Sequence, residues 1–218
     1  MRTAALSMVT LFLATAAVAR ADQPSVSAKD LLQDVRTFET EVVEPDRAYS
    51  PAARAEAKTR LHALEASVGT LSPLEIQIEV CRIAALADNG HTGCQSPPIA
   101  RPVEIGFYPL NGGVYVFSAA ADETDLLGGR LVAIDGRPVG AVQRVVRTLF
   151  GGRPAWRDLH TVQAYGQPAV LHALGVAREA GAATYRIRTP AGRIVERRLQ
   201  ATQTDAPSVG ILSPERTP

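Results

Sequence analysis

Gly128-Gly129-Arg130-Leu131-Val132-Ala133-Ile134-Asp135-Gly136-Arg137-Pro138-Val139 changes structural type three times in twelve residues. The paired glycines read as a turn, Leu131–Ile134 as a short buried strand, Asp135-Gly136 as a second turn and Val139 as the start of a helix. That helix is expected to run to Leu149, with Val142, Val145, Val146 and Leu149 on one side, and to break at Gly151-Gly152. Upstream, Arg101–Phe107 and Val114–Ser118 read as strands around the turn Asn111-Gly112-Gly113. Downstream, Gln167–Leu174 reads as a short inserted helix. Thr184–Arg188 and Arg193–Ala201 form a hairpin around Pro190-Ala191-Gly192. Thr202–Pro218, polar and proline-rich, is expected to be disordered. The pattern is that of an α+β fold, a partly open β-barrel with one main helix and a short inserted one.

Ahead of this unit the periodicity is helical. Ser27 caps a first helix, with Asp30 at its third position, and Leu31, Leu32, Val35, Phe38 and Val42 follow at helical spacing until Pro45. Ser50-Pro51 opens a second helix with the stripe Leu61, Leu64, Val68. Ser72-Pro73-Leu74-Glu75 opens a third with a complete capping box and first-turn proline. Its buried side is read as Ile76, Val80, Ile83, Ala84 and Ala87. The predicted organisation is a signal peptide over 1–21, a helical segment over 22–96, the β-rich domain over 97–201 and a disordered tail over 202–218. The boundary between helices and strands lies near Ser96-Pro97-Pro98.

Residues 1–21 carry Arg2, an apolar run from Thr3 to Val18 and the small-x-small end Ala19-Arg20-Ala21, which predicts cleavage before Asp22. An uncleaved anchor is the alternative, but the run is short for a bilayer core of about 30 Å. Cleavage implies a periplasmic or secreted protein with no membrane span thereafter. It takes the 23 basic and 22 acidic residues to 21 and 22. A chain so near neutrality has no global reason to bind nucleic acid. Cys81 and Cys94 are the only cysteines, and in an exported chain an even pair points to a disulfide. Its loop of about 14 residues is worth roughly 3 kcal/mol on the chain-entropy account.

The sharpest local feature is Asp88-Asn89-Gly90-His91-Thr92-Gly93-Cys94, where the third helix stops and the chain turns on two glycines. Asp88 and Thr92 side chains can hold such a turn by binding backbone amides, which makes it a rigid element orienting the next strand. His91 has the ordinary chemistry of a general base, but no nucleophile accompanies it. Cys81, Asp88, His91 and Cys94 are all zinc-ligand types. Their spacing matches no usual finger pattern, so the disulfide is the preferred reading and no metal or cofactor is expected. Glu104-Ile105-Gly106-Phe107 sets a glycine between apolar residues in a strand expected to lie beside the helix from Val139. An extended peptide could add a strand in the groove between them.

Gly-Arg-Leu-Val-Ala-Ile-Asp-Gly-Arg-Pro-Val, Gly129 to Val139, resembles the signature of bacterial PDZ-type domains. In combination with Ala87-Asp88-Asn89-Gly90-His91-Thr92, it resembles the front half of C-terminal processing (tail-specific) serine proteases, over roughly Leu74 to Leu199. The resemblance implies a PDZ-like domain that captures a peptide or protein C-terminus, with a protease core to follow. Val103, Glu104, Ile105, Gly106 and Phe107 would then supply the pairing strand, Val142 and Val146 part of the groove, and backbone amides near Gly106 the carboxylate site. The family's serine–lysine pair has no counterpart here. Lys29 and Lys58, the only lysines, lie in the early helices, and Ser208 and Ser213 belong to the tail. No catalytic residue is assigned. The expected activity is non-catalytic peptide binding. The alternatives are a truncated or split serine peptidase, acting with a separate protease subunit, and a structural protein without ligand.

Overall fold

The structure, a computed structural model, describes residues 27–94, 102–202 and 208–210. The predicted signal peptide, the Ser96-Pro97-Pro98 boundary and most of the predicted tail lie outside the described residues. The fold is α+β, with an open antiparallel sheet.

Three capped helices come first. In α1 (Ala28–Phe38) the Ser27 hydroxyl accepts from the Asp30 amide. In α2 (Pro51–Ser67) Ser50 accepts from Ala53 and proline fills the first turn. In α3 (Pro73–Ala85) Ser72 and Glu75 form the reciprocal capping box. A π-turn over Glu39–Val43 prolongs α1, closed by the Glu44 amide donating to Glu39 O. The extra residue in that turn rotates the chain, so Val43 is fully buried while Val42, expected on the apolar face, is only partly so. Val35, Val43, Tyr49, Leu61, Leu64, Ile76 and Ile83 form the helical core. Tyr49 donates its hydroxyl to Ile83 O from within it.

The strands are β1 (Ile105–Leu110), β2 (Gly113–Ala120), β3 (Arg130–Ile134), the two-residue β4 (Arg137–Pro138), β5 (Ala182–Arg188), β6 (Ile194–Gln200) and β7 (Ser208–Gly210). Their order is β1-β2-β3-β5-β6, with β4 beside β3 and β7 beside β2. The two arms of the sheet meet at one narrow junction, where Tyr115 faces Arg130 and Val116 exchanges backbone bonds with Gly128 and Gly129. β7 falls inside the segment read as disordered. Its pairing with Ser118–Ala120 corrects that reading for these three residues.

Two turns take the left-handed backbone that their residues favour: Asn111-Gly112 (φ 48°, 72°) and Asp135-Gly136 (φ 46°, 79°). Asp135 also accepts amide hydrogens from Thr184 (2.8 Å) and Arg178 (2.7 Å), tying this turn to the approach and start of β5.

The expected main helix is α4 (Val139–Val146) with a 3₁₀ turn over Arg147–Leu149. The insert after Gly152 holds two helices where one was expected: α5 (Pro154–Ala164) and α6 (Pro168–Ala173). The second core gathers β1–β3, β5 and α4–α6 around Phe107, Val116, Leu131, Val146, Tyr165 and Tyr185. It also takes in Ile78 and Cys81 of α3.

Candidate functional site

The Asp88–Cys94 turn does not bring its polar groups to one point. Asp88, at φ 51°, accepts the Gly152 amide (3.0 Å) and the Arg157 guanidinium through Oδ1. Thr92 donates its hydroxyl to Asp46 Oδ2 at 2.6 Å. That bond and the Ala48 amide hold the Asp46 carboxyl below its usual range. The His91 amide donates to Asn89 Oδ1, and the residue itself is exposed. The segment works as a clasp between the α1–α2 connection, α3 and the start of α5. Close approach makes glycine necessary on the far side, since a Cβ on Gly152 would lie 2.8 Å from the Gly90 amide nitrogen. Trp156 covers Gly90 and meets the His160 ring at a tilt, 4.2 Å between centroids. Cys81 and Cys94 form the expected disulfide, with 5.3 Å between Cα atoms, beside this clasp. Among the described residues no cluster of His, Cys, Asp and Glu is arranged to hold a metal.

The residues read as a peptide groove lie near one another but behind α5. That helix packs on β1 and α4, and beyond its end the Gly166 carbonyl accepts the Val103 amide at 2.8 Å. Val103, Ile105, Phe107, Val142 and Val146 are buried in the core. Glu104 and Gly106 are half-buried. Gly106 has a local reason for lacking a side chain. It faces Ser118 across the β1–β2 pair, and a Cβ there would meet the Ser118 hydroxyl beside a shift in register. Tyr165, on the turn after α5, meets Phe107 edge-on, and its carbonyl accepts the Tyr185 hydroxyl at 2.8 Å. Burial raises the hydroxyl pKa of both tyrosines.

Further along β1 the same edge opens. A cleft of about 500 Å³ lies between the β1–β2 turn, α4 and α5, with Tyr108, Leu110, Val139, Gln143, Asp158 and Leu159 in its walls. Tyr108 and Leu110 are 47% and 53% exposed, uncommon values for large apolar side chains. Gln143 donates to Asp158 at 2.9 Å and Arg147 pairs with it at 3.5 Å, bracing α4 against α5 beneath the opening. Pro109 is compatible with this strand because β1 is an edge among the described residues, so no neighbouring strand needs its missing amide hydrogen. The sequence reading stopped the strand at Phe107 and left α5 unassigned, and so missed this cleft. Pro154 followed by the apolar or aromatic positions Trp156, Leu159 and Val162 was the available signal.

No family model matches the chain, and no curated protein matches it. Solved structures of CPAF, a serine protease, are similar in fold. Mature CPAF complexed with lactacystin gives a TM-score of 0.53 at 17% identity, a CPAF point mutant 0.52 at 17%, and mature CPAF 0.50 at 16%. Each likeness covers 79% of this chain and 34% of the other, so the chain spans about a third of the length of the structures it matches. At that identity the likeness is one of fold alone, shared with about a third of each CPAF chain.

Proposed function

We propose that the chain is an exported, non-catalytic peptide-binding module, PDZ-like in its β-rich part and related in plan to the front portion of a tail-specific protease. The observation that carries this reading is the cleft at the open end of β1. There an edge strand with two exposed apolar side chains faces α4 across the cleft, with α5 packed on both, and an extended peptide could add to the open edge. Tyr108–Leu110 supply the accessible stretch of edge. Val103–Phe107, with Val142 and Val146 behind them, form its continuation beneath α5. A short peptide therefore enters at Tyr108. Pairing with the whole strand, including carboxylate capture near Gly106, requires α5 to swing away.

The test is a screen of the purified chain against labelled peptides with free C-terminal carboxylates, beside their amidated counterparts. Val139→Trp and Leu110→Arg serve as cleft variants. Binding that needs the carboxylate and is lost in both variants supports the proposal. Absence of binding to any peptide removes it. It would leave the reading that α5, anchored by the Val103–Gly166 bond, permanently closes the groove of a structural protein.

A further inference from the structure

The solvent-facing side of the sheet carries a row of paired positions crossing five strands. Tyr108 faces Tyr115, Tyr115 faces Arg130, Arg130 faces Arg188 and Arg188 faces Ile194. Directly opposed residues share a face. Phe117, two residues along β2 from Tyr115, extends the aromatic end and packs on Tyr108 at 6.1 Å. Tyr108, Arg130, Arg188 and Ile194 are exposed. Gly113 makes room at the row's edge. A side chain there would meet the Tyr115 ring at 2.7 Å and Arg130 Nε at 3.1 Å.

The arginines are the unusual part. Like charges directly opposite one another weaken a strand pair, yet Arg130 and Arg188 occupy such positions. Elsewhere on β5 and β6 each arginine has its carboxylate: Arg186 with Glu196, Arg197 with Glu123 and Asp125, Arg198 with Glu179. Among the described residues neither Arg130 nor Arg188 has an ion-pair partner. Tyrosine and arginine are also the side chains most enriched where binding energy concentrates.

We propose that this row is a docking surface for an acidic, extended protein segment. Its carboxylates pair with Arg130 and Arg188, and its apolar side chains rest on Tyr108, Tyr115 and Ile194. Charge complementarity selects the partner, since guanidiniums donate paired hydrogen bonds to carboxylates in a fork geometry and an acidic segment would relieve their repulsion. Five strands about 4.8 Å apart span roughly 19 Å, which about six extended residues cover. The row shares Tyr108 and Arg130 with the cleft wall, whereas Arg188 and Ile194 lie outside it.

The test uses the whole chain and an acetylated, amidated eight-residue peptide with two central glutamates flanked by leucine and tyrosine, which has no terminal carboxylate for the cleft. The expected result is binding that weakens as salt rises from about 0.05 to about 0.3 M. It should fall about tenfold or more in both Arg130→Glu and Arg188→Glu; Arg188 lies outside the cleft, so its effect separates this row from binding in the cleft. The lysine analogue of the peptide should not bind. The free Arg188→Glu protein should melt higher than the parent, because the opposed pair becomes attractive, which shows that the charge reversal left the fold intact. No binding of the acidic peptide, or binding indifferent to both reversals, overturns the proposal. So does a lower melting temperature of Arg188→Glu. Equal or tighter binding of a single-stranded oligonucleotide, lost in the same variants, would overturn it in favour of a nucleic-acid face.

Discussion

Replacing Asp88 by alanine and by asparagine separates what its charge, its acceptor atom and its backbone each contribute. The carboxylate holds the Gly152 amide at 3.0 Å and the Arg157 guanidinium, linking the end of α3 to the start of α5. The Asp88 side chain is 68% exposed, so the ion pair is worth only about 0.2–1 kcal/mol. The bond from the Gly152 amide adds roughly 1 kcal/mol. Alanine must also hold a left-handed backbone at φ 51°, at about 1–2 kcal/mol. Asp88→Ala should therefore lose about 2–4 kcal/mol. Asp88→Asn, which tolerates that backbone and keeps an acceptor for Gly152, should lose about 1 kcal/mol or less. Urea denaturation gives both values, with an unchanged slope if the native state stays as compact. Hydrogen exchange should show the amides of α5 opening more readily in the alanine variant than in the asparagine one, while those of α2 keep their protection. Equal losses in the two variants, or faster exchange spread evenly over the chain, would refute the clasp as the reason for Asp88.

Four other perturbations test separate parts of the structure. Replacing Cys81 and Cys94 together by serine should lower stability by roughly 3 kcal/mol, read by thermal unfolding against the oxidised parent. Asp135→Ala strands the amides of Thr184 and Arg178 and forces alanine into a left-handed turn, so about 2–3 kcal/mol should be lost in urea. The Asp46 carboxyl is held low by Thr92 and the Ala48 amide. Its contribution is therefore present above the unfolded pKa of about 3.9 and is lost as pH falls through the lower folded value. Thr92→Val should flatten that acid limb in a pH series of melting temperatures. Tyr49 is pushed up to about 12, chiefly by burial. The folded state holds its proton longer than the unfolded chain, so stability should decline as pH rises from about 10 towards that value. Tyr49→Phe should remove part of the decline.

Local chemistry made the fold legible where it acted alone. Ser27, Ser50 and Ser72 cap their helices because a hydroxyl beside unsatisfied amides has one good use, and the first-turn prolines cost no hydrogen bond there. Asn111-Gly112 and Asp135-Gly136 took the turns their backbones prefer. What escaped reading was tertiary. Val43 replaces Val42 inside the helical core because a π-turn, invisible in the apolar spacing, shifts the register by a residue. Ile78 lies off the stripe defined by Ile76, Val80 and Ile83, and only the second core shows why it is apolar. For the site, the motif Asp88–Thr92 was visible but the bonds to its partners Asp46, Gly152 and Arg157 span 46 or more positions in sequence. The helix that covers β1 carries His160 and Thr161 on its buried side, polar types that blur an apolar stripe.

α3 shows why the helical segment and the β-rich part are mechanically coupled. Ile76 and Ile83 face the helical core, whereas Ile78 and Cys81 enter the core of the sheet. One helix therefore belongs to both hydrophobic units, and the disulfide fastens its C-terminal half to the turn that clasps α5. A force that moves α5 off β1 must strain the Asp88 contacts at the end of this same helix. Opening of the covered strand and the stability of the helical layer are linked through α3. If the proposed peptide binds at Tyr108, its effect would reach Asp46 through contacts that meet at the end of α3. The path is the chain of contacts from the cleft wall at Asp158, along α5 to Arg157, and from Asp88 through the turn to Thr92. Adding the carboxylate-bearing peptide to the parent and to Asp88→Ala should then shift the acid limb set by Asp46 only in the parent. A shift of the same size in both would show that binding at the cleft and the helical layer communicate by some other route.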